Sequence, residues 1–554
     1  MKMLRERLID LLTEAAKKAQ KEGKLPAVEL PEITIERPQN AEHGDYASNF
    51  PLKLARTARA NPMIIANELV ALLPAAEEIE SAVAAPPGFI NFTLRDKWLN
   101  RQVDRILHDG ESFGNNNLGK GKKVQVEFVS VNPTGPMHIA HGRGAILGST
   151  LANVLGASGY QVEKEYYFND AGNQMEIFKR SLYARYLQAL DVKAEVPENG
   201  YMGNYMIDIA NEIIAEQGNK FQKLPEAEAL KLLGDIGIKK VIDKIQKDLK
   251  QLRVEFDVWF REQSLYENGQ YNKVMGLLRQ GGFLAEKEGA TWFVSTNLGE
   301  DKDNVVVRSN GLPTYFATDI AYHYNKFVER HFDKVIDIWG ADHQGHVPRM
   351  KAVVAALGID PDRLQIIIHQ MVTLKRGGEL VRISKRTGDL ITLEEVMNEV
   401  GVDACRFLLL ARSASSQMDF DMELAKKQSQ ENPVYYVQYA HARISSIMRL
   451  VEEKNINFTD GDTGLLTAEP ELTLIRKLLN FPELIEMATI TSEPHHLAYY
   501  AQELANTFHA FYKECRVVTD DEALTKARIK LVMASKIVLA KTLHLMGMTA
   551  PERM

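Results

Sequence analysis

Cysteine is nearly absent from this 554-residue chain: only Cys405 and Cys515 occur, far apart in the sequence. Two distant thiols exclude a disulfide framework and a cysteine-ligated zinc site, and read as structural thiols of a reducing compartment. Long apolar runs are lacking too, and none reaches the length that crosses a bilayer. The opening residues, Met1 to Asp10, carry acids early and have neither the apolar core of a secretory signal nor the acid-poor pattern of a transit peptide. They predict an amphipathic helix and a cytoplasmic protein without membrane partners. Positive charge is not in excess: 67 Lys and Arg stand against 74 Asp and Glu, a net charge of −7. Overall charge therefore advertises no polyanion partner, and phosphate binding has to rest on local patches. One patch is Lys375, Arg376, Arg382, Lys385 and Arg386; a second runs along the C-terminal region as Lys513, Arg516, Lys526, Arg528, Lys530, Lys536 and Lys541. Internal repeats and low-complexity stretches are missing. What is there, 45% hydrophobic and 25% charged residues, is the composition of a soluble globular protein long enough for several domains.

Periodicity divides the chain into three parts. Residues 1–110 read as an α+β module, with helices over 4–19, 64–73 and 97–107 and strands over 28–36 and 89–94. In this module Gly44 and Asp45 read as a turn and helix cap. A Gly/Asn-rich link, 110–121, leads into residues 111–395, where strands and helices alternate as in a doubly wound parallel sheet. The expected strands are 124–131, 161–168, 305–307, 335–338 and 364–369, with a mostly helical insertion over about 170–300 that includes helices at 204–216 and 226–249. A doubly wound sheet binds its ligand at the carboxyl ends of its strands. Asn132, Asn169, Asp170, Asp319 and the run Gly340 to Gln344 all fall where such ends or the following loops belong. From 396 to 554 the chain reads as all-helical.

The most specific stretch runs from Phe128 to Gly144. A β-rich run ends in a Pro/Gly turn, Asn132-Pro133-Thr134-Gly135-Pro136, and opens into a helix with His138 and His141 at its start. A helix start presents unpaired N–H groups and the positive end of the dipole, so it suits an anion. Two imidazoles there can hydrogen-bond a triphosphate and the charge that develops on it during attack. Far downstream comes a short basic loop, Arg382-Ile383-Ser384-Lys385-Arg386.

Together these resemble the two signatures of class I aminoacyl-tRNA synthetases, "HIGH" and "KMSKS". The segments around them resemble arginyl-tRNA synthetases over essentially the whole chain: Gly44 to Asn49, Pro313 to Tyr322, Gly340 to His346, Asn432 to Arg443 and the closing Gly547 to Met554. Ala140 stands where the family usually has glycine, Arg382 where it has lysine, and Ile383 where it has methionine. The resemblance implies a Rossmann-like catalytic domain, an N-terminal domain that contacts the tRNA elbow, and an all-α C-terminal anticodon-binding bundle. It implies arginine–tRNA ligation: L-arginine and ATP, with Mg2+, give arginyl-adenylate and pyrophosphate, and the 2′-hydroxyl of the terminal adenosine of tRNA then takes the arginyl group.

It also implies site residues. His138, His141 and Lys385 would carry the chemistry, with Gly142, Asp342, His343, Ser384 and Arg382 completing an ATP site. Glu127, Asn132, His138, Tyr315, Asp319 and Gln344 would bind arginine, whose planar cation asks for anionic partners in fork geometry. Tyr315 and Asp319 are spaced i, i+4, so one helix face carries both. Tyr435, Tyr439 and Arg443 would touch tRNA, with aromatics offering faces to splayed bases. No resident metal is expected, although Asp342, His343 and His346 have ligand-like spacing, and the working unit is expected to be a monomer. Two rivals remain. A cysteinyl-type synthetase would need a cysteine cluster, which is missing; a silent tRNA-binding paralogue would be expected to have lost the histidine pair or Lys385.

Overall fold

The protein is described from a computed structural model that covers residues 4–170, 172–381 and 390–554. Its centre is a five-stranded, all-parallel sheet in the order Leu364–His369, Lys334–Gly340, Lys123–Glu127, Gln161–Phe168, Val258–Arg261. The helix Ile139–Ala157, called here the signature helix, connects the central strand to its neighbour and is buried along most of its length. Gly148 lets this helix lie on the sheet: a Cβ there would meet Phe128 Cγ at 2.2 Å. Such a close approach needs a residue without a side chain.

Strands 161–168 and 364–369 have the expected bounds. The expected strand 124–131 instead ends at Glu127, because Val129 and Ser130 both take positive φ, 69° and 43°. Two consecutive non-glycine residues in that region are strained and must be held by their surroundings. Here the Ser130 hydroxyl donates to Glu127 Oε1 at 2.9 Å and Tyr166 Oη donates to Val131 O at 2.8 Å. Residues expected as a strand at 305–307 do form one, Asn304–Val307, but in a separate antiparallel sheet with Leu284–Lys287 and Ala290–Phe293. The fifth strand of the parallel sheet is Val258–Arg261, from within the insertion. The insertion is mostly helical, through Asn173–Ala189, Asn204–Gln217, Glu226–Gln251 and Gln270–Gln280, but it also contributes the strands Val258–Arg261, Leu284–Lys287 and Ala290–Phe293.

In the N-terminal part, residues 28–36 are extended but form no strand, apart from a single bridge from Glu36 to Ala47. Pro26 and Pro31 interrupt the donors a ladder requires. Asp45 is not the expected helix cap: its carboxylate accepts from Leu94 N–H and from Arg476 Nε, both at 2.7 Å. It thereby ties the N-terminal sheet, formed by Tyr46–Ser48, Phe89–Leu94 and Ile79–Ala85, to the C-terminal bundle. Glu483 of the bundle adds a second tie, pairing with Arg37 at 2.9 Å and accepting from Tyr46 Oη at 2.5 Å. Beyond Leu393 the chain is helical, with one exception to the all-α expectation: Met418–Asp421 is a strand, parallel to Val372–Arg376. Arg406, fully buried, fastens the bundle to the catalytic domain through Met546 O, Leu252 O and Ser149 Oγ at 2.5, 2.8 and 2.9 Å. Among the described residues, no helix is long and apolar enough to cross a membrane. Both cysteines are buried free thiols, and burial pushes Cys405 up to about 12.

Candidate active site

The carboxyl ends of the parallel strands converge on one rim: Glu127, Phe168, Arg261, Gly340 and His369. His138 is the N-cap of the signature helix, with extended backbone, and its N–H donates to His141 Nδ1 at 3.3 Å. The two rings stack at 3.6 Å between centroids. A ring that accepts at Nδ1 is neutral and keeps its hydrogen on Nε2, which leaves one N–H donor. Burial, helped by His138 and His369, lowers His141 to about 3, and burial alone lowers His138. The pair therefore meets a phosphate as neutral donors at the positive end of a helix, not as cations.

Gly142 allows a second element to close on this helix start, since a Cβ would lie 2.7 Å from Leu393 Cδ1. Leu393 N–H donates to Met137 O at 2.8 Å, and Thr392 bridges to His138. Thr392 and Glu395 cap each other reciprocally and start the next helix, Leu393–Val400. The chain that follows the second signature is thus anchored beside the histidine pair. The signature residues themselves, Arg382, Ser384 and Lys385, lie outside the described residues.

A second cluster occupies the same rim. The helix Tyr315–Tyr324, the pocket helix, carries Tyr315 and Asp319 on one face. Glu262, one residue beyond the edge strand, is buried, accepts from Tyr167 Oη at 2.8 Å, and lies within electrostatic reach of Asp319 and Tyr315. Burial raises Asp319 to about 7, with the charge of Glu127 adding and that of His323 opposing. Burial also raises Glu262 to about 7; its hydrogen bond from Tyr167 opposes this and the charge of Asp319 adds to it. Burial disfavours the charged form of both carboxyls, and a cation bound beside them would favour it. The sequence reading missed Glu262. Its signal was the short β run Val258-Trp259-Phe260-Arg261, hidden inside a segment that reads as helical.

The other candidates are placed as follows. Glu127 is buried, with Oε2 at 2.5 Å from Lys326 Nζ and Oε1 accepting from Ser130. Asn132 Nδ2 donates to Gln174 Oε1 at 2.6 Å. Asp342, His343 and Gln344 form an exposed turn, Ala341–His346, just beyond the strand Lys334–Gly340, and Asp342 lies 3.3 Å from His343.

Tyr435, Tyr439 and Arg443 stand apart on the helix Pro433–Glu453. Tyr435 stacks on Tyr439 at 6.0 Å, and Arg443 lies over the rings of Tyr439 and Tyr512 at 4.8 and 5.1 Å. With Tyr436, His509 and Lys513, the latter two flank a cleft of about 470 Å³. Most of the C-terminal basic patch is not available as a patch. Lys526, Arg528, Lys530 and Lys536 pair with Asp460, Glu471, Asp104 and Glu552, and Lys541 is held by Glu111 O, Phe113 O and Asn115 Oδ1.

A parallel sheet with a histidine pair at the first helix start defines a class I tRNA synthetase catalytic domain. The family model described as "tRNA synthetases class I (R), catalytic domain" matches residues 102–442. The models "Arginyl tRNA synthetase N terminal domain" and "DALR anticodon binding domain" match residues 6–94 and 437–554. An arginine–tRNA ligase of Dehalococcoides mccartyi is 58% identical over 99% of this chain and 98% of its own length. That of Carboxydothermus hydrogenoformans is 50% identical over 97% of each. Thermus thermophilus arginyl-tRNA synthetase shares the fold over the full length of both chains, with a TM-score of 0.79 at 24% identity. The chain belongs to the arginyl-tRNA synthetase family.

Proposed function

We propose that the two clusters on the rim divide one reaction between them, the histidine pair holding ATP and the Asp319–Glu262 pair holding the guanidinium of arginine. The chain is an enzyme, an ATP-dependent arginine–tRNA ligase. An oxygen of the arginine carboxylate attacks the α-phosphorus, the bond to pyrophosphate breaks, and arginyl-adenylate forms. The 2′-hydroxyl of the terminal adenosine then attacks the arginyl carbonyl and AMP leaves. Such a reaction needs positioning and charge stabilisation more than covalent help. His138 and His141 donate to the phosphates at the helix start, and Lys385, with Ser384 and Arg382, draws off the leaving pyrophosphate. Asp342, His343 and Gly142 border the nucleotide; Asn132, Gln344 and Tyr315 orient the amino acid. Magnesium enters as part of the ATP substrate, its shell made mainly by phosphate oxygens and water.

The N-terminal part holds the tRNA elbow, and the cleft beside Tyr439 and Arg443 takes a base of the anticodon arm. The working unit is one chain, in the cytoplasm. The observation that carries this reading is the stacked, hydrogen-bonded pair His138 and His141 at the start of the signature helix, on the same rim as the helix that carries Tyr315 and Asp319.

The carboxyls of Asp319 and Glu262, both raised to about 7, set the test. Arginine's side chain is cationic throughout, and only the ionised carboxyls pair with it, so binding arginine releases protons. The Michaelis constant for arginine should fall as pH rises from 6 to 8, by up to about tenfold per unit per group below its pKa, and then level off. His141 and His369, at about 3 and 4, titrate below this window. The constant for ATP should stay level. An arginine constant that does not change between pH 6 and 8 removes the carboxyl pair from the amino-acid site.

A further inference from the structure

Three acids stand side by side across the sheet just below the rim. Asp337, Glu127 and Glu165 are register partners on three neighbouring strands. Like charges directly opposite one another destabilise a sheet, and Asp337 and Glu165 are fully buried. Their counter-charges come from the pocket helix, the π-turn that continues it, Asn325–Glu329, and Arg330 just after the turn. Lys326, fully buried, lies 2.5 Å from Glu127 and 2.8 Å from Asp337. His323 Nε2 is 2.9 Å from Asp337 Oδ2, and its Nδ1 is 2.8 Å from Asp319 O. Arg330 reaches Glu165 and Glu163, and Tyr322 donates to Glu165. Burial opposes ionisation of Asp337, yet Lys326 and His323 outweigh it and hold the carboxyl below its ordinary value.

Helical spacing keeps Lys326 near the face that carries Tyr315 and Asp319, and from the π-turn its ammonium reaches the acid row. Removing a buried counter-ion exposes the remaining charges to each other, so the row is held only while all its members are present.

We propose that Lys326, with His323 and Asp337, is a positioning unit for arginine: it bolts the helix that carries Tyr315 and Asp319 to the strand that carries Glu127, so that the amino acid meets a preset pocket. The unit touches neither substrate nor ATP. It acts through the place of Asp319, to whose carbonyl His323 is bonded, and through Glu127, both of whose oxygens are engaged. The proposal rests on the assignment of Asp319 to the amino-acid site.

The test is a double-mutant cycle on the full chain with arginine-accepting tRNA, comparing Lys326→Met, Asp319→Asn and the double variant. Lys326→Met should raise the Michaelis constant for arginine on the order of tenfold to a hundredfold, as misplacement of a binding group does. The constant for ATP should change less than about twofold. In the Asp319→Asn background the same substitution should add little, because residues acting through one another are not additive. Equal changes in both constants, or full additivity, would assign Lys326 to general stability and overturn the proposal. If Asp319→Asn alone leaves the arginine constant unchanged, the underlying site assignment fails instead, and the positioning unit with it. Should Lys326→Met not yield folded protein, Asp337→Asn, which keeps the volume, is measured in the same cycle against the same outcomes.

Discussion

His141→Ala lowers the rate of amino-acid activation by about 10²–10³ while the protein still folds, because it removes a donor aimed at charge that develops in the transition state. The geometry makes the loss specific. His141 is oriented by the N–H of His138 and by the stacked ring, so its remaining N–H is fixed before ATP arrives. The substitution also removes an acceptor from the helix start, which costs about 1 kcal/mol of stability, as loss of a cap does. That cost leaves a folded protein. Pyrophosphate exchange at nearly the original rate in folded His141→Ala would end the role given to this histidine.

Asp319→Asn keeps the volume and removes the anion. The apparent affinity for arginine should fall by about 1.5–3 kcal/mol, the usual worth of a hydrogen bond to a charged group, and ATP affinity should hardly move. The variant has a second signature: with one of the two carboxyls near 7 gone, the fall in the arginine constant between pH 6 and 8 becomes shallower. Steady-state constants for both substrates across that range check both statements. An unchanged arginine constant would return Asp319 to being a polar residue of the pocket helix.

The histidine site was legible because its grammar is local: a β run, a Pro/Gly turn and a helix start follow one another within 17 residues, Phe128 to Gly144. Strands 161–168 and 364–369 were legible from local clusters of β formers, Tyr166 to Phe168 in one and Ile366 to Ile368 in the other. What sequence could not give was context. Val129 and Val131 have high β propensity, yet the chain at 129 and 130 bends into positive φ to bring Ser130 to Glu127. The run at 305–307 has strand composition, but composition does not say which sheet a strand joins.

The amino-acid site was only half legible. Tyr315 and Asp319 share a face by simple helical spacing, whereas their partner Glu262 reaches the rim from an edge strand enclosed in the insertion. His323, Lys326 and Arg330 follow Asp319 closely in sequence, but the acids they meet, Asp337, Glu127 and Glu165, lie on three separate strands, so these pairs exist only in the folded chain. Asp45 likewise read as a cap because its two partners, Leu94 and Arg476, are remote in sequence.

The most direct measurement is ATP–pyrophosphate exchange by the full chain with each of the amino acids in turn, with and without arginine-accepting tRNA. The account predicts exchange with arginine and with no other amino acid. Exchange driven by another amino acid, or none from folded protein given arginine and tRNA, would contradict it.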